Sequence, residues 1–320
     1  MVIEQTQVRH VQTAAPAAAS ALDPVTIGET VIPSIVTVEV GSDSGGSFVQ
    51  TGSGSGVVLD RNGNIVTNHH VAEGGDAARV VLSDGRIYEA ELIGSDELTD
   101  LAVLRISASG LEPITFGTTD GLTVGSPTIA VGSPLGLDGG PSLSVGVVSA
   151  LGREVQTGPN TVLYGMIQTD APITSGSSGG SLVDSTGALV GITTAVGVSN
   201  IGVEGIGFAT PVEIVERVTA EILATGSATH ALLGINGATA YETTDDGGMK
   251  PVGVAVRSVV AASPASEAGI STGDVITALD DVEITTMDDL ITELRRTGTG
   301  RVLELSIAGG DPILVIPATA

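Results

Sequence analysis

Three short stretches of this 320-residue chain hold side chains that could act together as base, orienting acid and nucleophile. Thr67-Asn68-His69-His70-Val71 follows the strand-like Ile65-Val66 and sets two adjacent histidines at the start of a loop. An imidazole fixed at a strand end, yet accessible, suits a general base. Thr99-Asp100-Leu101-Ala102-Val103-Leu104 puts a carboxylate at the mouth of an apolar strand, where it can orient a histidine and stabilise its cation. Ser175-Gly176-Ser177-Ser178-Gly179-Gly180-Ser181 places serines in a glycine-dense turn. Glycines there permit unusual backbone angles and leave room for a substrate backbone. Consecutive N–H groups of such a turn can converge on a developing oxyanion. Each stretch also has a plainer reading when taken singly: a packed structural histidine, a turn aspartate, a Gly/Ser linker. There is no Cys, which excludes cysteine nucleophiles, thiolate zinc sites and disulfides, and the only histidines are His10, His69, His70 and His230. The acidic pairs Asp245-Asp246 and Asp280-Asp281 lack the spacing of a calcium loop and read as solvated turns, so no metal and no cofactor is expected.

The elements that would carry these residues are short strands. Apolar residues make up 42% of the chain but aromatics only 2%, and glycines number 45, a mixture that favours many short strands joined by tight turns. From about residue 27 to 210, β-rich runs recur: Ile35–Val40, Ser55–Leu59, Val80–Leu82, Ile87–Ala90, Leu101–Ile106, Thr128–Val131, Leu143–Ala150, Leu163–Gln168, Ser181–Val183 and Ala188–Thr194. Their spacing predicts a barrel or a sandwich, and their number favours two barrels. Gly52–Gly56 and Gly132–Gly140 read as turns, because neither precedes the helix N-terminus or the Lys that a phosphate loop needs. At Pro211 the pattern becomes helical, with Pro in the first turn and Gly226 beyond the end. A second α+β unit of roughly 90 residues follows, with strands at Val252–Val260, Asp274–Leu279, Val302–Ile307 and Ile313–Ile316 and helices at Ser263–Gly269 and Met287–Arg296.

Charge narrows the partners. Against 37 Asp and Glu stand 12 Lys and Arg, a net −25, which repels phosphate backbones; no nucleic acid is expected as a partner. No run reaches the ~18–20 apolar residues of a membrane helix, and the N-terminus lacks the apolar core of a signal peptide. Residues 1–26 read as a flexible tether, and composition leaves open either a cytoplasmic protein or one with an export or membrane-anchor segment upstream of this chain.

His, Asp and Ser in this order, each with its neighbours, resemble the signatures of the HtrA/Deg family of trypsin-like serine proteases. Asn64–Val71 resembles that family's histidine motif, Thr99–Leu104 its aspartate motif, Gln168–Val183 its serine motif, and Gly205–Pro211 its closing strand. The resemblance implies a mainly β fold: a double six-stranded β-barrel protease domain over 27–224, a linker at 225–231, and a small α+β PDZ domain over 232–320. It assigns His70, directly before Val71, as general base, Asp100 as orienting acid with Asp96 a weaker rival, and Ser178 as nucleophile. The oxyanion hole falls to the N–H groups of Gly176, Ser177 and Ser178. Ser175, Ser177 and Ser181 stand where the family usually has two prolines and an asparagine, a departure that bears on loop rigidity. Thr193, Ile201, Val203 and Ile206 fall on the loops lining the primary substrate pocket; with no aspartate placed to select a basic residue, cleavage after small or medium aliphatic residues is expected.

Leu232-Leu233-Gly234-Ile235 resembles the carboxylate-binding loop of a PDZ domain, and Ser263–Ile276 its most recognisable run. Such a loop aims N–H groups at a peptide C-terminus while a strand edge accepts the peptide as an extra strand. One of Leu232 and Leu233 is expected in the core. The implied function is endopeptidase action on unfolded or damaged proteins, which would be the substrates, with C-terminal peptides as PDZ ligands, in the cell envelope or periplasm. A homotrimer is implied, with a monomer as the alternative. The rival from a different class is a catalytically silent peptide-binding adaptor or holdase, which gives no reason to keep His70, Asp100 and Ser178 together. A small-ester hydrolase leaves the second unit unexplained.

Overall fold

The computed structural model describes residues 22–133, 140–158, 161–199 and 202–319, with the side chains of 44, 195–199 and 202–204 outside that description. Helix α1 (Pro24–Val31) opens the chain, its N-terminus capped by the Asp23 carboxylate, and buries Ile27 and Val31. It starts inside the last residues of the segment read as a tether; residues 1–21, with His10, lie outside the described residues.

The first barrel closes in the order β1-β2-β3-β6-β5-β4, from β1 (Ile35–Ser44), β2 (Ser47–Val58), β3 (Asn64–Thr67), β4 (Ala77–Leu82), β5 (Ile87–Asp96) and β6 (Leu101–Ile106). A single helical turn, α2 (His69–Ala72), follows β3. The second barrel closes in the order β10-β11-β12-β9-β8-β7, from β7 (Pro127–Gly132), β8 (Ser142–Gln156), β9 (Val162–Thr169), β10 (Ser181–Val183), β11 (Leu189–Ser199) and β12 (Gly202–Pro211). Strand-rich Val and Ile fill both interiors, and closure gives each strand two neighbours over at least part of its length. Helix α3 (Val212–Thr225) then lays Ile214, Val215, Val218 and Ile222 into the cluster shared with Leu101 and Val103 of the first barrel and Leu189 and Ile192 of the second. These residues recur at helical spacing, and burying each fully contributes about 1.5–3 kcal/mol. The helix stops at Gly226, in the left-handed region at φ 85°.

The C-terminal unit has its own core around Leu233, Val254, Ile276, Leu290 and Leu305. Its main sheet runs β14-β15-β16-β18-β19, from β14 (Ile235–Thr243), β15 (Met249–Val259), β16 (Val275–Leu279), β18 (Leu303–Ile307) and β19 (Ile313–Val315), with β17 (Val282–Glu283) paired to β16. A two-stranded ribbon joins β13 (Ala231–Leu232) to β20 (Ala318–Thr319). Helix α4 (Pro264–Ala268) is short, while α5 (Met287–Thr297) begins with a capping box of Thr286 and Asp289. Among the described residues no helix is long and apolar enough to cross a membrane.

Two sequence expectations need correction. Gly52–Gly56 is not a turn but part of β2, paired with β1. Glycine is present there because the strand is approached closely: a Cβ on Gly54 would meet the Val71 side chain at 2.7 Å and one on Gly56 would meet Ile65 at 2.8 Å. The histidines after β3 also begin the turn of α2, not a loop. Residues 134–139 of the second glycine stretch lie outside the described residues.

Candidate active site

The acid sits in a tight turn between β5 and β6. Asp100 has φ 55°, a left-handed conformation that costs a non-glycine residue of order 1 kcal/mol or more and that Asp tolerates better than most. Its N–H donates to Glu97 O at 3.3 Å, and its carbonyl accepts from His69 N–H at 3.2 Å and from Asn68 Nδ2 at 2.8 Å. That geometry turns its carboxylate, only 6% exposed, toward the helical turn that carries the histidines. Oδ1 accepts from His70 N–H at 3.0 Å, and His70 Nδ1 lies 2.9 Å from Oδ1 and 2.8 Å from Oδ2. Thr194 Oγ1 donates to Oδ2 at 2.5 Å and itself accepts from Asn68 Nδ2 at 2.6 Å. A buried carboxylate met only by donors has its desolvation offset. The pairing leaves His70 Nε2 for solvent or substrate, and the His70 side chain is 51% exposed.

The neighbours of these residues are committed elsewhere. His69 Nδ1 contacts Ser95 Oγ at 3.0 Å and its Nε2 pairs with Glu73 at 3.2 Å. Asp96 does not reach His70; it accepts from Thr99 Oγ1 and lies 2.9 Å from His230 Nε2. Burial pushes the Asp96 carboxyl up, but the hydrogen bonds from His230 and Thr99 and the nearby positive charge outweigh it and hold it below the usual carboxylate value.

Ser178 lies in the turn between β9 and β10. Its Oγ donates to Thr194 O at 3.3 Å, and among the described residues no hydrogen bond joins it to His70. Thr194 therefore stands between nucleophile and acid, its carbonyl on Ser178 and its hydroxyl on Asp100. Among the described residues the N–H groups of Gly176 and Ser178 have no internal acceptor, whereas Ser177 N–H donates to Thr174 O at 2.9 Å. The turn is held from the opposite barrel by Ser55 of β2, whose Oγ donates to Gly176 O at 2.7 Å and whose N–H donates to Ser178 O at 2.7 Å. Gly179, at φ 86°, must be glycine, since a Cβ there would stand 2.1 Å from Ser55 O. Ser55, Asn68 and Thr194 were not anticipated. Ser55 lay among the glycines of a stretch read as a turn, and the other two act through partners far away in the sequence.

A cavity of about 490 Å³ opens beside the pair, lined by His70, Asp100 and Thr194 and by Glu97, Thr157 and Thr161. Past Thr193, β11 has lost β10 as a neighbour and pairs only with β12 among the described residues, so one edge is open to an extended chain. Of the expected pocket residues, Thr193 is buried and donates its hydroxyl to Ser177 O at 2.6 Å. It also lines a cavity of about 80 Å³ with Val131, Leu143, Pro172 and Ser177, with no ionisable side chain in its wall. Ile206 is half-buried on β12, and Val203 pairs with Val198 in the β11–β12 ladder. Ile201 lies outside the described residues.

In the C-terminal unit, Leu233 is the core leucine at 2% exposed, and Leu232 is 47% exposed. Gly234 has φ 80°, and a Cβ there would strike Ser263 at 2.2 Å. The N–H groups of Leu233 and Gly234 have no internal acceptor among the described residues. Both residues line a cavity of about 220 Å³ between Leu232–Ile235 and α5, beside β14, which is an edge strand.

Comparison with known proteins agrees with this architecture. Residues 54–192 match the trypsin-like peptidase domain family and residues 231–312 the PDZ domain family. The chain is 37% identical over 302 residues to the serine protease PepD of Mycobacterium tuberculosis, covering 88% of this chain and 62% of that protein. It is 36% identical over 266 residues to the serine endoprotease DegS of Haemophilus influenzae, covering 82% of this chain and 75% of the relative. Several curated relatives are longer, so the chain spans between about half and three quarters of their length. Among solved structures, the HtrA-type protease AlgW with a tripeptide superposes with TM-score 0.73 at 32% identity over 93% of this chain and 97% of that one. AlgW with a decapeptide gives 0.68 at 30%, covering 93% and 99%. With both domains, their order and their barrels in common, this chain belongs to the HtrA family of trypsin-like serine proteases carrying a PDZ domain.

Proposed function

We propose that the chain is a serine endopeptidase in which His70, Asp100 and Ser178 form the triad. The observation that carries this reading is the buried Asp100 carboxylate gripping His70 Nδ1 while two N–H groups beside Ser178 stay without acceptors. Rotation of Ser178 about its Cα–Cβ bond carries Oγ from Thr194 O toward His70 Nε2, the kind of tightening that substrate induces in a resting site. Ser178 Oγ attacks the peptide carbonyl, His70 takes its proton, and Asp100 stabilises the resulting imidazolium. The Gly176 and Ser178 N–H groups receive the oxyanion, each such donor contributing ~2.7–4 kcal/mol to the transition state. His70 then hands the proton to the leaving amine, and water hydrolyses the acyl-enzyme by the same steps in reverse. Thr194 O is freed for the substrate backbone when Ser178 turns away.

An extended segment pairing along β11 past Thr193 before attack favours unfolded or damaged chains over folded ones. With Thr193 in the wall of a small cavity that has no ionisable side chain, cleavage follows small or medium aliphatic residues; a peptide library reads this directly, and dominant cleavage after Lys or Arg would refute it. Peptide C-termini bind between the β14 edge and α5, their carboxylate on the free N–H groups of Leu233 and Gly234. One relative, from Haemophilus influenzae, is named a probable periplasmic protease, which supports an extracytoplasmic location for this chain. Membership of the family favours a homotrimer over a monomer, and sedimentation separates the two. The activity test is cleavage of unfolded casein by the wild type and by Ser178→Ala, each with and without a peptide ending in an apolar residue. Cleavage by the wild type alone supports the reading. A wild type as inert as the variant, with both binding the peptide, would make the chain an adaptor instead.

A further inference from the structure

The peptide groove of the PDZ domain is not built by that domain alone. Its cavity of about 220 Å³ is walled by the loop Leu232–Ile235 and by Leu290 and Leu294 of α5, and also by Leu98 of the first barrel. Leu98 lies 134 residues before Leu232 in the chain, in the turn between Asp96 and Asp100, and keeps 44% of its surface exposed. An apolar side chain at the tip of a turn would ordinarily face solvent; here it faces a groove whose other walls are mostly aliphatic.

Its place in that groove is fixed by bonds on either side. Asp96, two residues earlier, is held by Thr99 and by His230 Nε2 at 2.9 Å, and His230 leads directly into Ala231 and Leu232 of the groove wall. Arg295, which follows Leu294 on α5, lends its charge to the same Asp96. The bonds of Asp96 to His230 and Thr99 tie the turn that carries Leu98 to the start of the groove wall at His230–Leu233. The same cavity is lined by Leu233 and Gly234, whose N–H groups have no acceptor among the described residues and suit a terminal carboxylate. The last side chain of a peptide anchored there by its carboxylate would meet Leu98.

We propose that Leu98 of the protease domain completes the pocket for the last side chain of a PDZ-bound peptide, so that both domains jointly select a large apolar C-terminal residue. The occupant is thus a peptide with a free carboxylate and a terminal Leu- or Phe-sized side chain, since an aliphatic wall rewards apolar area in proportion to what is covered. This rests on the reading of the groove as a PDZ peptide site. A further consequence is geometric: a ligand pressing on Leu98 presses on the five-residue turn that ends in Asp100.

The test uses the full chain with Ser178→Ala, so that probes survive, and fluorescein-labelled hexapeptides ending in Ala, Val, Leu or Phe, with an amidated Phe peptide as control. In this background the Leu and Phe peptides bind tightest and amidation removes binding. Adding Leu98→Ala weakens the Leu and Phe peptides about five- to tenfold and leaves the Ala peptide unchanged, while Leu98→Met restores most of the loss. Melting temperatures of the variants, measured alongside, stay close to the parent because Leu98 is nearly half exposed. Unchanged affinity for the Leu and Phe peptides in Leu98→Ala overturns the proposal. So does tighter binding, which would make Leu98 an obstruction instead of a wall. If no peptide binds the parent, the peptide-site reading itself fails and this inference with it; a parent that binds normally with no Leu98 effect overturns the inference alone.

Discussion

The Thr194 side chain governs the proposed catalytic pair of His70 and Asp100 without its hydroxyl touching the reacting atoms. Its hydroxyl donates to Asp100 and accepts from Asn68, so each bond polarises the next and fixes the carboxylate against His70. Thr194→Val keeps the volume and removes the donor. A hydrogen bond to a charged group contributes roughly 1.5–3 kcal/mol, so kcat falls about ten- to a hundredfold. KM changes little, because the hydroxyl faces the acid and not the cleft; steady-state kinetics on an unfolded substrate separate the two. Asp100→Asn does far more, about 10⁴-fold in kcat, because it loses the charge and favours the wrong tautomer of His70. At this scale the sequence was most informative. His70, Asp100 and Ser178 stood out through their immediate neighbours, and the structure brings His70 onto Asp100. Thr194 and Ser55 could not be found that way, since a threonine in a strand and a serine among glycines carry no local sign of distant partners.

The nucleophile turn is an element-level device, and its glycines are where the fold is least tolerant. Gly179 combines φ 86° with atoms of the other barrel closing on it, the Ser55 backbone O at 2.1 Å and the Thr67 side-chain Oγ1 at 2.5 Å from an added Cβ. Gly179→Ala is therefore strained twice over, by its backbone angle and by contact with groups that cannot swing aside. The expected outcome is a clearly lowered melting temperature together with a more than hundredfold loss of turnover, because Ser55 also holds Gly176 and Ser178. A variant that melted and turned over like the wild type would contradict this account of the turn. The strands themselves were legible from alternation and turn chemistry, and α3 from its start and stop signals. Helix α1 and strand β14 were not. The first is short and follows a low-complexity run, and the second, Ile235–Thr243, is rich in Gly and Ala, whose strand propensity is low.

Across the whole molecule the two domains are pinned through few polar contacts. Arg217 of α3 donates to Arg295 O at 2.7 Å and to Thr229 O at 2.9 Å, and His230 of the linker grips Asp96 beneath the catalytic turn. Because Asp96 is held below its unfolded value of about 3.9, its contribution to stability is fully present above that pH and is lost as pH falls through the depressed folded value. Asp96→Asn should therefore lower the melting temperature at neutral pH, and the gap from the wild type should close as the pH drops below about 4; thermal melts across pH read both. A gap that persisted unchanged into strong acid would mean that the charge on Asp96 does not hold the linker. No single stretch of sequence announced this contact, since it joins residues 134 positions apart.

On the proposed reading, Ser178, His70 and the N–H groups of Gly176 and Ser178, which have no acceptor among the described residues, act as one catalytic unit, even though Ser178 rests on Thr194 in the unliganded chain. A fluorophosphonate reports on all three, because it reacts only with an activated serine and leaves an oxyanion-like group to be held. Peptide mapping by mass spectrometry after labelling should find a single phosphonyl adduct on Ser178 in the wild type, and none at that position in His70→Ala. An untouched Ser178 in the wild type under conditions that label a known serine protease, or an adduct that forms equally well without His70, would contradict the account.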